Sequence, residues 1–161
     1  MTKLYAENLL TKEQLQAIGH VAIESARLDS MLDRMICFIC GLGDASGKAL
    51  VEERDLTPKL QIFRQLVIER LRNRKVRDKF ESLYARHAGA IHERNAFVHG
   101  KWFGIVSSER PPLAQVVHNK TKLHGDKAIA TALSLANFQH ELEAFFLLYG
   151  HKLSTSPRRY R

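Results

Sequence analysis

Four stretches of this chain repeat apolar residues at helical spacing, and no other feature limits the fold as strongly. The first extends from about Lys12 to Cys40, where Leu15, Ile18, Ala22 and Ala26 are followed by Leu28, Leu32, Met35 and Ile39. Ahead of it, Thr11-Lys12-Glu13-Gln14 has the spacing of a capping box, in which Thr11 accepts from a free amide and Gln14 reaches back. The glycines of Gly41-Leu42-Gly43-Asp44-Ala45-Ser46-Gly47 are a strong stop. The second helix begins at Thr57-Pro58, with Thr57 as the N-cap and Pro58 where its missing N–H costs nothing. Its stripe is Leu60, Phe63, Val67 and Leu71. A turn at Arg72-Asn73-Arg74-Lys75 leads to a third helix from about Val76 to His99, striped by Phe80, Leu83, Tyr84, His87, Ile91 and Val98. Gly100 then ends it. The fourth starts near Asp126 and carries Leu135, Phe138, Leu142, Phe145, Phe146 and Tyr149.

Between the third and fourth helices the pattern changes. Trp102-Phe103-Gly104-Ile105-Val106 and Leu113-Ala114-Gln115-Val116-Val117 are short and rich in aromatic or β-branched residues, with Ser107-Ser108-Glu109-Arg110-Pro111-Pro112 suited to a turn. That is the layout of a β-hairpin. The expected fold is therefore all-α: an up-and-down bundle of four to five helices with a short β-hairpin inserted after the third long helix. Residues 1–153 read as a single domain, and residues 154–161, with Arg158, Arg159 and Arg161, as a mobile basic tail.

Composition narrows the setting. A length of 161 residues is enough for one domain with a real core, and 45% hydrophobic with 26% charged residues excludes a disordered chain. Charges interrupt the apolar runs well short of a membrane span. Met1 to Asn8 lacks a signal-peptide layout, so a cytoplasmic location is expected. Two cysteines argue against a disulfide framework. The balance of 25 Lys+Arg against 17 Asp+Glu gives a net charge of +8, which concentrates polyanions near the surface and favours nucleic-acid partners. The same charge would also serve plain solubility.

The residues that carry chemistry are Arg94-Asn95-Ala96-Phe97-Val98-His99, at the end of the third helix. Asn95 and His99 lie one turn apart on one face. Arg94 lies roughly 140° around the helix from His99 unless the last turn unwinds. One copy need not aim both at one phosphate, whereas two copies across a two-fold axis can pair them. A histidine titrates near neutral pH and can exchange a proton with a ribose 2′-hydroxyl or a leaving 5′-oxygen. An arginine offers a permanent fork to the phosphoryl oxygens where charge grows. An asparagine holds a histidine tautomer or donates to the phosphate. Attack by the 2′-hydroxyl needs neither metal nor cofactor, leaves a 2′,3′-cyclic phosphate, and selects RNA over DNA.

This pattern resembles the HEPN family, helical bundles whose motif is Arg, four to six residues, then His, often with a polar residue straight after the Arg. Arg94, Asn95 and His99 match it residue by residue, at the same place on the scaffold, and the resemblance covers about Thr11 to Lys152. It implies a HEPN-like bundle and an endoribonuclease working as a homodimer: His99 as acid/base, Arg94 as phosphate clamp, Asn95 as the orienting residue. It implies RNA as substrate, a toxin or a stress or phage-defence role, and control by a cognate antitoxin or regulatory protein. The alternative within the family is a non-catalytic module that binds RNA or a partner protein; a purely structural helical dimer is a third option. In HEPN toxins controlled by nucleotidyltransferase partners, a modified tyrosine lies two residues past the histidine. Here that place is Lys101, which disfavours that form of control. His99-Gly100-Lys101-Trp102 instead resembles relatives with His-Gly and a following aromatic.

Against this stands a bland reading, in which Arg94 pairs with Glu93 or a neighbouring helix and His99 is a helix-end side chain favoured by the dipole. Glu24, Arg27 and Asp29 put charges into the apolar first helix; Glu24 and Arg27 can pair, and Glu24 or Asp29 can orient Arg94. No metal site is expected, since no Glu-x-x-His occurs and the gaps between His87, His92 and His99 spread the rings around their helix. Cys37-Phe38-Ile39-Cys40 has redox spacing but reads as two buried thiols. Lys120, Lys122 and Lys127 can guide an RNA backbone, and Trp102 can stack a base or fill the core beside the helix end.

Overall fold

The computed structural model describes residues 10–42, 51, 54–107, 110–118 and 121–154. The side chains of residues 102–114, 121 and 122 are also outside the described set. The glycine-rich stretch from Gly43 to Gly47, Ser108-Glu109, Lys120, and the tail from Thr155 to Arg161 therefore fall outside it, as do the side chains of Trp102 and Lys122. The described residues form four long helices, α1 (Lys12–Cys40), α2 (Leu56–Arg70), α3 (Arg74–His99) and α4 (Lys127–Ser154). Three strands stand between α3 and α4: β1 (Lys101–Ser107), β2 (Arg110–His118) and β3 (Thr121–His124). This is the all-α helical bundle with a β insert after the third long helix. Among the described residues, no helix is long and apolar enough to cross a membrane.

The chain divides into two compact units. One combines residues up to Ser25 with His87–Ala136; the other combines Ala26–Arg86 with Asn137–Arg161.

In the second unit the helical stripes do what their spacing requires. Leu28, Leu32, Ile36, Ile39, Leu60, Phe63, Val67, Phe80, Phe138 and Leu142 are all buried. The rings of Phe63 and Phe80 lie 5.7 Å apart, those of Phe80 and Phe145 5.4 Å, and those of Phe38 and Phe146 meet edge-on at 5.5 Å. Each fully buried Phe contributes about 1.5–3 kcal/mol by area, and such ring pairs add to that. Gly41 ends α1 with φ of 65°, where Leu42 N–H reaches the Cys37 carbonyl and Gly41 N–H the Phe38 carbonyl, a Schellman ending that suits glycine. Arg70 Nη1 donates to the carbonyls of Ile39 and Leu153, capping the last turns of α1 and α4 together.

Three details differ from the sequence reading. Helix α2 starts at Leu56 with Asp55 as N-cap, so Thr57 and Pro58 sit within its first turn. Pro58 still lacks only an N–H that no helical carbonyl would have accepted. Helix α3 starts at Arg74, and Asn73 caps it by accepting from Lys75 N–H at 3.0 Å, so the turn is shorter than expected. Cys37 and Cys40 are half-buried rather than buried, and neither forms a disulfide.

In the first unit the capping box forms as read: Thr11 Oγ1 accepts from Gln14 N–H at 3.2 Å, and Gln14 Oε1 accepts from Thr11 N–H at 3.0 Å. The buried stripe of early α1 runs through Ala17, Val21 and Ser25, each one turn apart, while Leu15 is exposed and so are Ala22 and Ala26. Both faces have helical spacing, and the one with small residues is the one that is covered. Likewise Ala96 and Phe97, not Val98, are buried in the last turn of α3.

The β insert has one strand more than expected. The sheet order is β1-β2-β3, antiparallel throughout, with Trp102 opposite Val116 and Val116 opposite Leu123. Val116 and Leu123 are both buried, and this cross-strand pair anchors the sheet. Pro111 and Pro112 belong to β2 rather than to the turn. They fall where the register shifts between Ile105 and Ser107, and on the part of β2 that β3 does not pair. A bulge beside an open edge is where a strand tolerates residues without N–H donors.

Candidate functional site

Helix α3 continues unbroken to His99, with Gly100 N–H still bonded to the Ala96 carbonyl at 2.8 Å. The last turn does not unwind, so Arg94 and His99 stay roughly 140° apart around the axis. His99 is exposed, while Arg94 and Asn95 are half-buried.

Arg94 is held in place. Its Nε donates to Ser25 Oγ at 2.5 Å, and its Nη1 donates to Asn95 Oδ1 at 2.8 Å. Ser25 is itself buried, so its hydroxyl is a fixed acceptor on α1. Two charge-assisted hydrogen bonds fix the plane of the guanidinium, which is what a phosphate clamp requires. Asn95 therefore orients Arg94 in this chain, a role distinct from holding the His99 tautomer.

Glu93, one residue earlier, turns to α4. Its carboxylate accepts from Lys127 Nζ at 2.9 Å and from Thr131 Oγ1 at 2.7 Å. Burial opposes its ionisation, yet these two hydrogen bonds, with the charges of Lys127 and His92, outweigh burial and hold its carboxyl below the ordinary glutamate value.

Glu24 is half-buried and lines an open groove of about 220 Å³ with Ala17, His20, Ile129, Ala132 and Leu133. Asp29 belongs to the second unit, where it pairs with Lys59 Nζ at 2.7 Å, Asp33 joining from one turn on at 2.8 Å. Lys59, 1% exposed, is a buried cation that pairs with both carboxylates. Ser25 is an acceptor on α1 that Arg94 meets. The side chain of Trp102 lies outside the described residues.

One neighbour of the motif had no signal in the sequence reading. The ring of His118 is centred 6.4 Å from that of His99, with the planes tilted by 46°. The ladder explains why. Lys101 pairs with Val117 in an antiparallel register, so one further step places His118 beside Gly100, next to His99. Gly100 makes the approach possible: a Cβ there would lie 2.3 Å from Val116 Cγ2 and 2.2 Å from the Ala96 carbonyl oxygen.

The described residues contain no group of three or more His, Cys, Asp or Glu arranged to hold a metal ion. Comparison with known proteins gave no match: no protein-family model fits the chain, and no curated protein or solved structure is significantly similar to it.

Proposed function

We propose that this chain is a metal-independent endoribonuclease of HEPN type, cleaving RNA by 2′-hydroxyl attack at a site shared between two copies. The observation that carries the reading is the end of α3, which exposes His99 while Ser25 and Asn95 lock Arg94 one turn earlier. In this reading His99 transfers protons, Arg94 binds the phosphoryl oxygens, and Asn95 fixes the arginine. Because Arg94 and His99 diverge on one helix, each phosphate meets His99 of one copy and the clamp of the other. The net charge of +8 suits a polyanionic substrate. Exposed Leu15, Ile23, Ile129 and Leu133 suit a chain that self-associates. Such an enzyme acts in the cytoplasm as a toxin or a stress or phage-defence effector, held in check by a cognate protein.

The test mixes two inactive variants, Arg94→Ala and His99→Ala, with labelled RNA in EDTA. A shared site predicts that each variant alone is inactive and that an equal mixture regains about a quarter of the wild-type activity, since random pairing makes about half of the dimers mixed and one of the two sites in each is intact. A mixture as inactive as its components would contradict the shared site. Cleavage by His99→Ala alone at the wild-type rate would contradict the assignment of His99.

A further inference from the structure

We propose that His118 is the second proton-transfer group of this site, so that His99 and His118 of one copy act as a pair on one phosphodiester. This rests on the ribonuclease reading and adds to it. In-line transesterification requires two proton transfers. The 2′-oxygen loses its proton to a base as its bond to phosphorus forms, and the 5′-oxygen gains a proton from an acid as its bond to phosphorus breaks. No oxidant, reductant or further reactant is needed: the products are a 2′,3′-cyclic phosphate and a 5′-hydroxyl, and the base ends with the proton that the acid has given up. One histidine performs both tasks only by moving between the two faces of the phosphate within a turnover. Two histidines, one beside each of these oxygens, perform them together.

The geometry fits the second arrangement. A catalytic ring nitrogen must come within about 2.6–3.2 Å of the oxygen it serves. With ring centres 6.4 Å apart, the two rings side by side can each reach one of the two bridging oxygens of a single phosphodiester. Both histidines sit at the junction of α3 and the sheet, His99 exposed and His118 half-buried. They come from elements of different kinds, a helix end and a strand end, held in register by the β1–β2 ladder and the close approach at Gly100. Arg94, directed away from His99 on its own helix, is left to serve the phosphate bound at the other copy.

The test compares wild type, His99→Ala, His118→Ala and His118→Gln on an RNA oligonucleotide and on its analogue with sulfur in place of the 5′-bridging oxygen. A thiolate leaves without being protonated, so the analogue removes the need for the acid. On RNA, His99→Ala and His118→Ala each lose about 100-fold or more. On the analogue, one of the two recovers to near the wild-type rate and the other stays slow, which identifies the acid and the base. Circular dichroism and melting temperature establish that the variants are folded, and His118→Gln keeps a polar side chain should alanine disturb the strand. If both His118 variants cleave RNA at the wild-type rate while His99→Ala is inactive, His118 is excluded and the ribonuclease reading survives. If folded His118 variants are slow on both substrates and so is His99→Ala, the division into acid and base is overturned. If the wild type cleaves neither substrate, the ribonuclease reading itself fails, and this inference with it.

Discussion

His118 faces His99 across 6.4 Å because the β1–β2 ladder runs back onto the end of α3, although the two residues are far apart in sequence and occupy different kinds of element. The glycine between His99 and the first strand allows that approach. The site is therefore built by a junction, and its parts should respond separately to substitutions at the junction, at the arginine support and in the core.

At the junction, Gly100→Ala places a Cβ 2.3 Å from Val116 Cγ2 and 2.2 Å from the Ala96 carbonyl oxygen, and backbone cannot yield as a flexible side chain does. The expected cost is about 1–3 kcal/mol, with loss of cleavage as β2 moves from the helix end. Gly89→Ala is the control, because a Cβ there meets nothing within 4 Å. It should be neutral or stabilise by up to about 1 kcal/mol. Urea denaturation of both variants, with wild type alongside, checks the contrast.

At the arginine support, Ser25→Ala removes the hydroxyl that accepts from Arg94 Nε. The hydrogen bond itself is worth about 1–1.5 kcal/mol of stability. A guanidinium free to turn should lower kcat about 10-fold to 100-fold while KM stays within a small factor. Steady-state cleavage kinetics separate the two. A large rise in KM at unchanged kcat would mean that Ser25 serves binding alone.

In the second unit, Lys59→Met keeps an apolar stem but leaves Asp29 and Asp33 facing each other. Both aspartates retain some solvent contact, so the expected loss is about 1–3 kcal/mol, below that of a fully buried pair. Adding Asp29→Asn and Asp33→Asn should recover most of it, measured by denaturant midpoint. Burial works against the Lys59 ammonium, yet hydrogen bonds and charge from the two aspartates outweigh it and hold the group above the ordinary lysine value. Its stabilising contribution is thus complete at neutral pH and is lost only as pH rises through that elevated value.

Glu93 gives the opposite slope. Its carboxyl is held below the ordinary glutamate value, so its contribution is complete above that value and is lost as pH falls through the depressed one. Glu93→Gln should flatten the fall in melting temperature below about pH 4, where an ordinary glutamate protonates. Wild type and variant melting with the same acid dependence would show that the Lys127 and Thr131 contacts contribute nothing to stability.

The helices were legible because their stripes are long, and Phe63, Phe80, Phe138 and Leu142 are buried as their spacing predicts. The capping box was legible for a local reason: Thr11 and Gln14 bond each other. Early α1 was misread because large residues outweigh small ones in any hydrophobic pattern, so Leu15 concealed the Ala17, Val21 and Ser25 face. Arg94, Asn95 and His99 are near neighbours in the chain, and their spacing on a helix follows from sequence. Ser25, His118 and Lys59 were not legible. Each depends on tertiary contact, and an isolated serine, histidine or lysine carries no periodic signal of its partner.

In the proposed mechanism His99 drives 2′-hydroxyl attack on RNA. Mass analysis of the ends produced from a short RNA in EDTA, by wild type and by folded His99→Ala, tests it most directly. The wild type is expected to leave 2′,3′-cyclic phosphate and 5′-hydroxyl ends, and the variant none. Intact RNA with the wild type, the same products from both proteins, or 5′-phosphate ends would contradict it.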